Sequence, residues 1–250
     1  MSPLRTMQGF TLMEVLIAVS LSTLLTSGIV QLVAGSVSAY RLQLSQSQLD
    51  ESSRYAREVL TSYISQAGYR SRPWDIQTEI EALTSDSLDG DELRGDQLGL
   101  QRWSQRNCYG NDNPVTDSNG QPEFYLLRVR LFVNTTQNLA ISCRYGADAA
   151  QLQIQINSFG LVEDIESMQV LYSEDTDGDH IADTWVNTGG WQQERNIREV
   201  KVALLLATEQ AFEQPRSRDI NLLDETITTP ADGRLRKVSY LTAAIRGRLE

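Results

Sequence analysis

The chain has 250 residues, of which 33 are acidic and 22 basic, giving a formal net charge of −11 with a single histidine. That length holds one anchor helix and one globular domain with a sizeable core, and excludes a second full domain. The acidic balance repels nucleic-acid phosphate and anionic lipid, so no nucleic acid is expected as a partner unless the fold gathers a basic patch.

The chain opens on a polar leader, MSPLRTMQG, followed at residues 10–35 by FTLMEVLIAVSLSTLLTSGIVQLVAG, whose one charge is Glu14. As a helix this run rises about 39 Å, more than the roughly 30 Å hydrocarbon core of a bilayer. No Ala-x-Ala-like site closes it, so it reads as an anchor retained by the mature protein. An ionised Glu14 near one end of the span is costly without a partner. Cleavage between Gly9 and Phe10 would create an amine at the same depth, and Glu14 of one copy would then pair with the amine of a neighbour. The plainer alternative is an ordinary anchor in which Glu14 is incidental.

Gly9-Phe10-Thr11-Leu12-Met13-Glu14 resembles the class III prepilin signal of type IV pilins and type II secretion pseudopilins. The resemblance implies a prepilin peptidase that cuts after Gly9 and methylates Phe10. It also implies a single pass through the inner membrane, with a cytoplasmic N-terminus and a periplasmic domain, and Arg5 in the leader agrees with that orientation. Removing the leader makes the chain one unit more negative.

Beyond the anchor the sequence turns polar but stays helical in pattern. Leu49, Ala56, Leu60, Tyr63 and Ala67 recur on one face, and Gly68 followed by Pro73 marks the stop. The expected organisation is a cleaved leader at 1–9, a transmembrane and assembly helix at 10–38, an amphipathic continuation at 39–68, and a β-rich domain at 69–250. Residues 75–95 read as a solvated acidic loop.

Strands are expected at 97–103, 124–133, 139–145, 151–156, 161–173, 197–208 and 237–246, from alternation and from β-branched or aromatic content. Residues 107–121 and 214–234 read as long loops. One long helix followed by runs of strands indicates an α+β fold. In the resemblance this is a pilin-like fold, a long N-terminal helix packed on an antiparallel sheet.

Cys108 and Cys143 are the only cysteines. In an exported domain the pair is most simply a disulfide, the alternative being two buried thiols. Asp175, Asp177, Asp179 and Asp183 stand at positions one, three, five and nine of a calcium-loop pattern, with Glu174 adjacent. His180 occupies the position of the turn glycine and Val186 that of the bidentate Glu, so the same residues also read as an acidic hairpin turn. Calcium is the one candidate cofactor, and no catalytic motif is present.

Three pieces resemble the PilW-type minor pilins: Gly95 to Leu100, the strand Ile165 to Tyr172 running into the Asp motif, and a late strand ending in Arg246. The resemblance implies a structural subunit that primes type IV pilus assembly, with other minor pilins and the major pilin as partners and the fibre tip as its place. The runners-up are a type II secretion minor pseudopilin of the GspJ kind, and a membrane-stalked adhesin using the loop at 107–121.

Overall fold

The structure is a computed structural model that describes residues 10–72, 74, 80–90, 94–152 and 154–248. Gly9 and the rest of the leader lie outside the described residues, as do parts of the expected acidic loop. The chain divides into two compact units, Met1–Ser47 and Gln48–Glu250.

Helix α1 runs without interruption over Leu12–Gln66. In the first unit its apolar side chains, among them Leu16, Leu24 and Ile29, stand exposed, and the mean hydropathy of its best window is 1.9. Its hydroxyls bond back to its own carbonyls. Ser20 donates to Leu16 O at 2.8 Å, Ser22 to Ala18 O at 2.7 Å, Thr26 to Ser22 O at 2.7 Å and Ser36 to Leu32 O at 2.9 Å. A helix so arranged fits a membrane anchor.

In the second unit α1 buries Leu49, Ser53, Ala56, Leu60 and Ile64, a stripe at spacings of three and four. Tyr63 of the expected stripe lies at its rim, and Ser53 enters because its hydroxyl donates to Ser239 Oγ at 2.8 Å. Gly68 ends the helix as expected, at φ 74°, and its amide donates to Gln101 O. The helix stop is thereby tied to the first sheet.

That sheet is an antiparallel meander of β1 (Leu98–Ser104), β2 (Tyr125–Val133), β3 (Leu139–Gly146) and β4 (Ile154–Val162). The second sheet takes β5 (Ile165–Glu174), β6 (Thr184–Val186), β7 (Ile197–Ala211) and β10 (Arg234–Ala244), in the spatial order β10-β7-β5-β6. One core cluster draws Leu60 and Ile64 from α1, Leu100, Leu127 and Ile141 from the first sheet, and Val170, Val202 and Leu204 from the second.

Three details depart from expectation. The strand expected at 151–156 begins at Ile154, after a 3₁₀ turn at Ala149–Gln151. The run expected at 161–173 is broken at Glu163–Asp164, where Asp164 takes φ 67° and lets β4 turn into β5. The loop expected at 214–234 contains a hairpin, β8 (Arg218–Leu222) with β9 (Glu225–Thr229). Leu222 and Ile227 of that hairpin pack on Ala203 and Leu205, the second face of β7. The continuous apolar run of β7 is the mark of a strand buried on both faces, which requires such a cover.

The two sheets are joined through Asp96. Residues 94–96 lie beside β5: Met168 N donates to Arg94 O at 3.2 Å, and Asp96 N to Met168 O at 2.7 Å. Gly95 sits at φ 75°, where a Cβ would come within 2.0 Å of Met168 O. The Asp96 carboxylate accepts the Gly90 amide at 2.9 Å and the Val170 amide at 2.7 Å. Two residues later the chain enters β1.

Burial pushes the Asp96 carboxyl up to about 7, against the two amides that favour its ionised form and with help from Asp89 and Glu225. Folded protein therefore holds a proton that the unfolded chain, with a value of 3.8, has released. Asp96 contributes fully to stability below the unfolded value, and the contribution is lost as pH rises through about 7. Urea midpoints measured across this window should fall more steeply with pH for the native chain than for Asp96→Asn; equal slopes would contradict the assignment.

Candidate functional site

Phe10 and Thr11 precede α1, and Phe10 is 88% exposed. Thr11 and Glu14 form a capping box. Thr11 N donates to Glu14 Oε2 at 2.9 Å, Thr11 Oγ1 donates to the same oxygen at 3.0 Å, and Glu14 N donates to Thr11 Oγ1 at 3.3 Å. Glu14 thus has a partner within its own chain, which the partnerless carboxylate of the sequence reading did not include. The Thr-x-x-Glu spacing ahead of an apolar run was the available signal. Glu14, Ala18, Ser22 and Thr26 follow at intervals of four along one exposed face.

The Asp-rich turn follows β5. Carboxylate oxygens of Asp175, Asp177 and Asp183 lie within 4.8 Å of one another. Asp179 is outside this group, its Oδ1 accepting the Ile181 amide at 2.7 Å. Asp183 Oδ2 accepts the Thr176 amide and hydroxyl at 2.7 and 2.6 Å. His180 adopts φ 70°, the left-handed conformation that a calcium loop asks of its turn glycine, and Gly178 adopts φ 81°. Glu174 turns away, accepting the amides of Gln192 and Gln193.

Asp175 is fully buried and meets Arg198 at 2.8 Å. Burial opposes its ionisation, but the Arg198 guanidinium and the amides of Gly178 and His180 outweigh it and hold the carboxyl below the usual range. The three carboxylates have the chemistry to ligate a hard divalent cation. Arg198 already supplies Asp175 with the positive charge such a cation would bring.

Cys108 and Cys143 are disulfide-bonded, their Cα atoms 6.3 Å apart. The bond ties the loop after β1 to β3 across a separation of 35 residues. That loop is also closed by Arg106 pairing with Asp112 and by bridges from Arg106 to Asp112 and from Thr116 to Pro122.

Two outcomes check this geometry. Arg198→Gln should lower the Tm by several degrees, and millimolar calcium should restore part of the loss; a melt indifferent to calcium would remove the cation-binding capacity of the turn. Replacing both cysteines with Ser should cost about 4 kcal/mol in denaturant unfolding.

Residues 130–247 match the family model described as type IV pilus-assembly protein W. Among solved structures, a type IV-like pilin from Thermus thermophilus is 18% identical, with a TM-score of 0.46 over 82% of this chain and 97% of that one. No curated protein matches the chain. The matched stretch contains the Asp-rich turn and the whole second sheet. Over that stretch the chain is similar to PilW-type proteins of type IV pilus assembly, the group that the N-terminal motif and the strand at 165–172 also resemble.

Proposed function

We propose that the chain is a minor pilin that primes type IV pilus assembly with other minor pilins and resides at the fibre tip. In this reading residues 1–9 are a leader removed by the prepilin peptidase and Phe10 becomes the methylated N-terminus. Residues 10–38 are the assembly helix, 39–68 its amphipathic continuation, and 69–250 the periplasmic domain. The role is structural, and no step of it needs a catalytic residue.

The observation that carries the proposal is the face of α1 that begins at Glu14. Thr11 holds one carboxylate oxygen of Glu14, and the residues that follow at helical spacing are small: Ala18, Ser22 and Thr26. Small side chains let a neighbouring helix approach closely, and the carboxylate sits where a neighbour's new amine can reach it. Phe10 and Thr11 lie outside the helix, which suits access by a peptidase.

Full-length tagged protein purified from its own cells, with mass spectrometry of its N-terminus and partners, tests this. The expected result is an N-methylated Phe10 accompanied by other minor pilins. Glu14→Ala should still be cleaved but should enter assemblies at least about tenfold less. An intact Met1 would sink the processing assignment, and co-purifying secretion pseudopilins would move the chain to the type II secretion system.

A further inference from the structure

The outer face of the first sheet collects three arginines. The alternation that buries Leu127, Val129 and Leu131 on β2, and Cys143 and Tyr145 on β3, turns Arg128, Arg130 and Arg144 to the opposite side. In register, Gln101, Arg128, Arg144 and Gln155 form one row across all four strands, with Arg130 opposite Ser142 alongside it. Like charges directly opposite in a sheet are destabilising. In a chain with 33 acidic residues to 22 basic, that clustering is not explained by stability.

The three arginines, Ser142 and Gln155 line a concavity of about 490 Å³, together with Asn157 and Asp86. Arg128 Nε donates to Gln101 Oε1 at 2.9 Å, and Arg130 Nε to Ser142 Oγ at 3.3 Å, so neutral neighbours fix both head groups. Among the described residues, neither of these two arginines has a carboxylate partner; Arg144 alone pairs, with Asp86 at 3.1 Å. The strap at 84–87 carries Asp86 over the face and forms one wall. It lies against Gly99, where a Cβ would meet Thr84 Oγ1 at 2.3 Å and Ser87 N at 2.7 Å.

We propose that this concavity binds an acidic saccharide, a sugar carboxylate on Arg128 and Arg130 with neighbouring hydroxyls on Ser142, Gln155 and Asn157. A guanidinium fork matches a carboxylate, while amide and hydroxyl side chains both donate to and accept from sugar hydroxyls. Asp86 accepts from a hydroxyl and repels a second anion. The net charge of −11 repels nucleic acid, which brings a charge every few ångströms, far more than a carboxylate spaced out by neutral groups. The inference goes beyond the role in assembly and does not depend on it.

Calorimetry on the full-length chain in detergent provides the test, with a hyaluronan hexasaccharide as the acidic probe, maltohexaose as its neutral counterpart, and single-stranded DNA and a poly-glutamate peptide as competing polyanions. The hexasaccharide should bind in a salt-sensitive manner and lose about tenfold or more in affinity in the Arg128→Gln, Arg130→Gln double variant. Lys201→Gln, on the other sheet, should bind as the native chain does. If the double variant melts early, Arg130→Gln alone should still show a reduced affinity at unchanged Tm. Failure of the hexasaccharide to bind, equal binding of maltohexaose, or indifference to the arginine substitutions would overturn the proposal. Tighter binding of DNA or of the peptide through the same arginines would also overturn it, in favour of a phosphate or an acidic protein as occupant.

Discussion

Burial of one stripe of α1 holds the globular unit together. Leu49, Ala56, Leu60 and Ile64 meet side chains from both sheets in a single cluster, so neither sheet has a complete core without the helix. Fully burying a side chain such as Leu60 or Ile64 contributes about 1.5–3 kcal/mol. The stop at Gly68 adds a backbone bond to β1, and Asp96 adds backbone and carboxylate bonds to β5. Helix and sheets are therefore one cooperative structure.

At the Asp-rich turn, geometry and electrostatics favour different occupants. Backbone conformation at Gly178 and His180 suits a cation loop, and three carboxylates converge. Yet the deepest of them is already neutralised by Arg198 from β7. A second arginine network lies on the same sheet, where Glu166 is held by Arg234 and Arg236, and Arg236 also holds Asp232. The hydrogen bond from Arg236 draws Asp232 down to about 2. Asp175 and Glu166 thus find their counter-charge on neighbouring strands of the protein itself, whereas Asp96 and Glu174 are held by backbone amides.

Much of the fold was legible because its periodicities are long. The helix had a stripe and a glycine stop, and β2, β3 and β7 had runs that only a sheet satisfies. The hairpin over β7 was hidden because its apolar content is little more than Ile220, Leu222 and Ile227 in polar surroundings, and the demand for it comes from β7, not from its own composition. Asp96 could not be found locally, since its partner Val170 is 74 residues away. The arginine row is similarly a product of register: Arg128 and Arg144 become neighbours only once β2 and β3 pair. By contrast, the capping box at Thr11 and Glu14 lay open in a spacing of three residues.

The inward-turned hydroxyls of α1 have a consequence for how easily the helix changes company. Ser20, Ser22, Thr26 and Ser36 spend their donors on carbonyls one turn back, and none of them needs an external acceptor. Swapping acyl chains for another helix's side chains therefore breaks no side-chain hydrogen bond along this stretch. Between Ser20 and Ser36 such an exchange would turn on shape and dispersion, with charge confined to Glu14 at the end of the helix, which makes this segment portable between the two solvents.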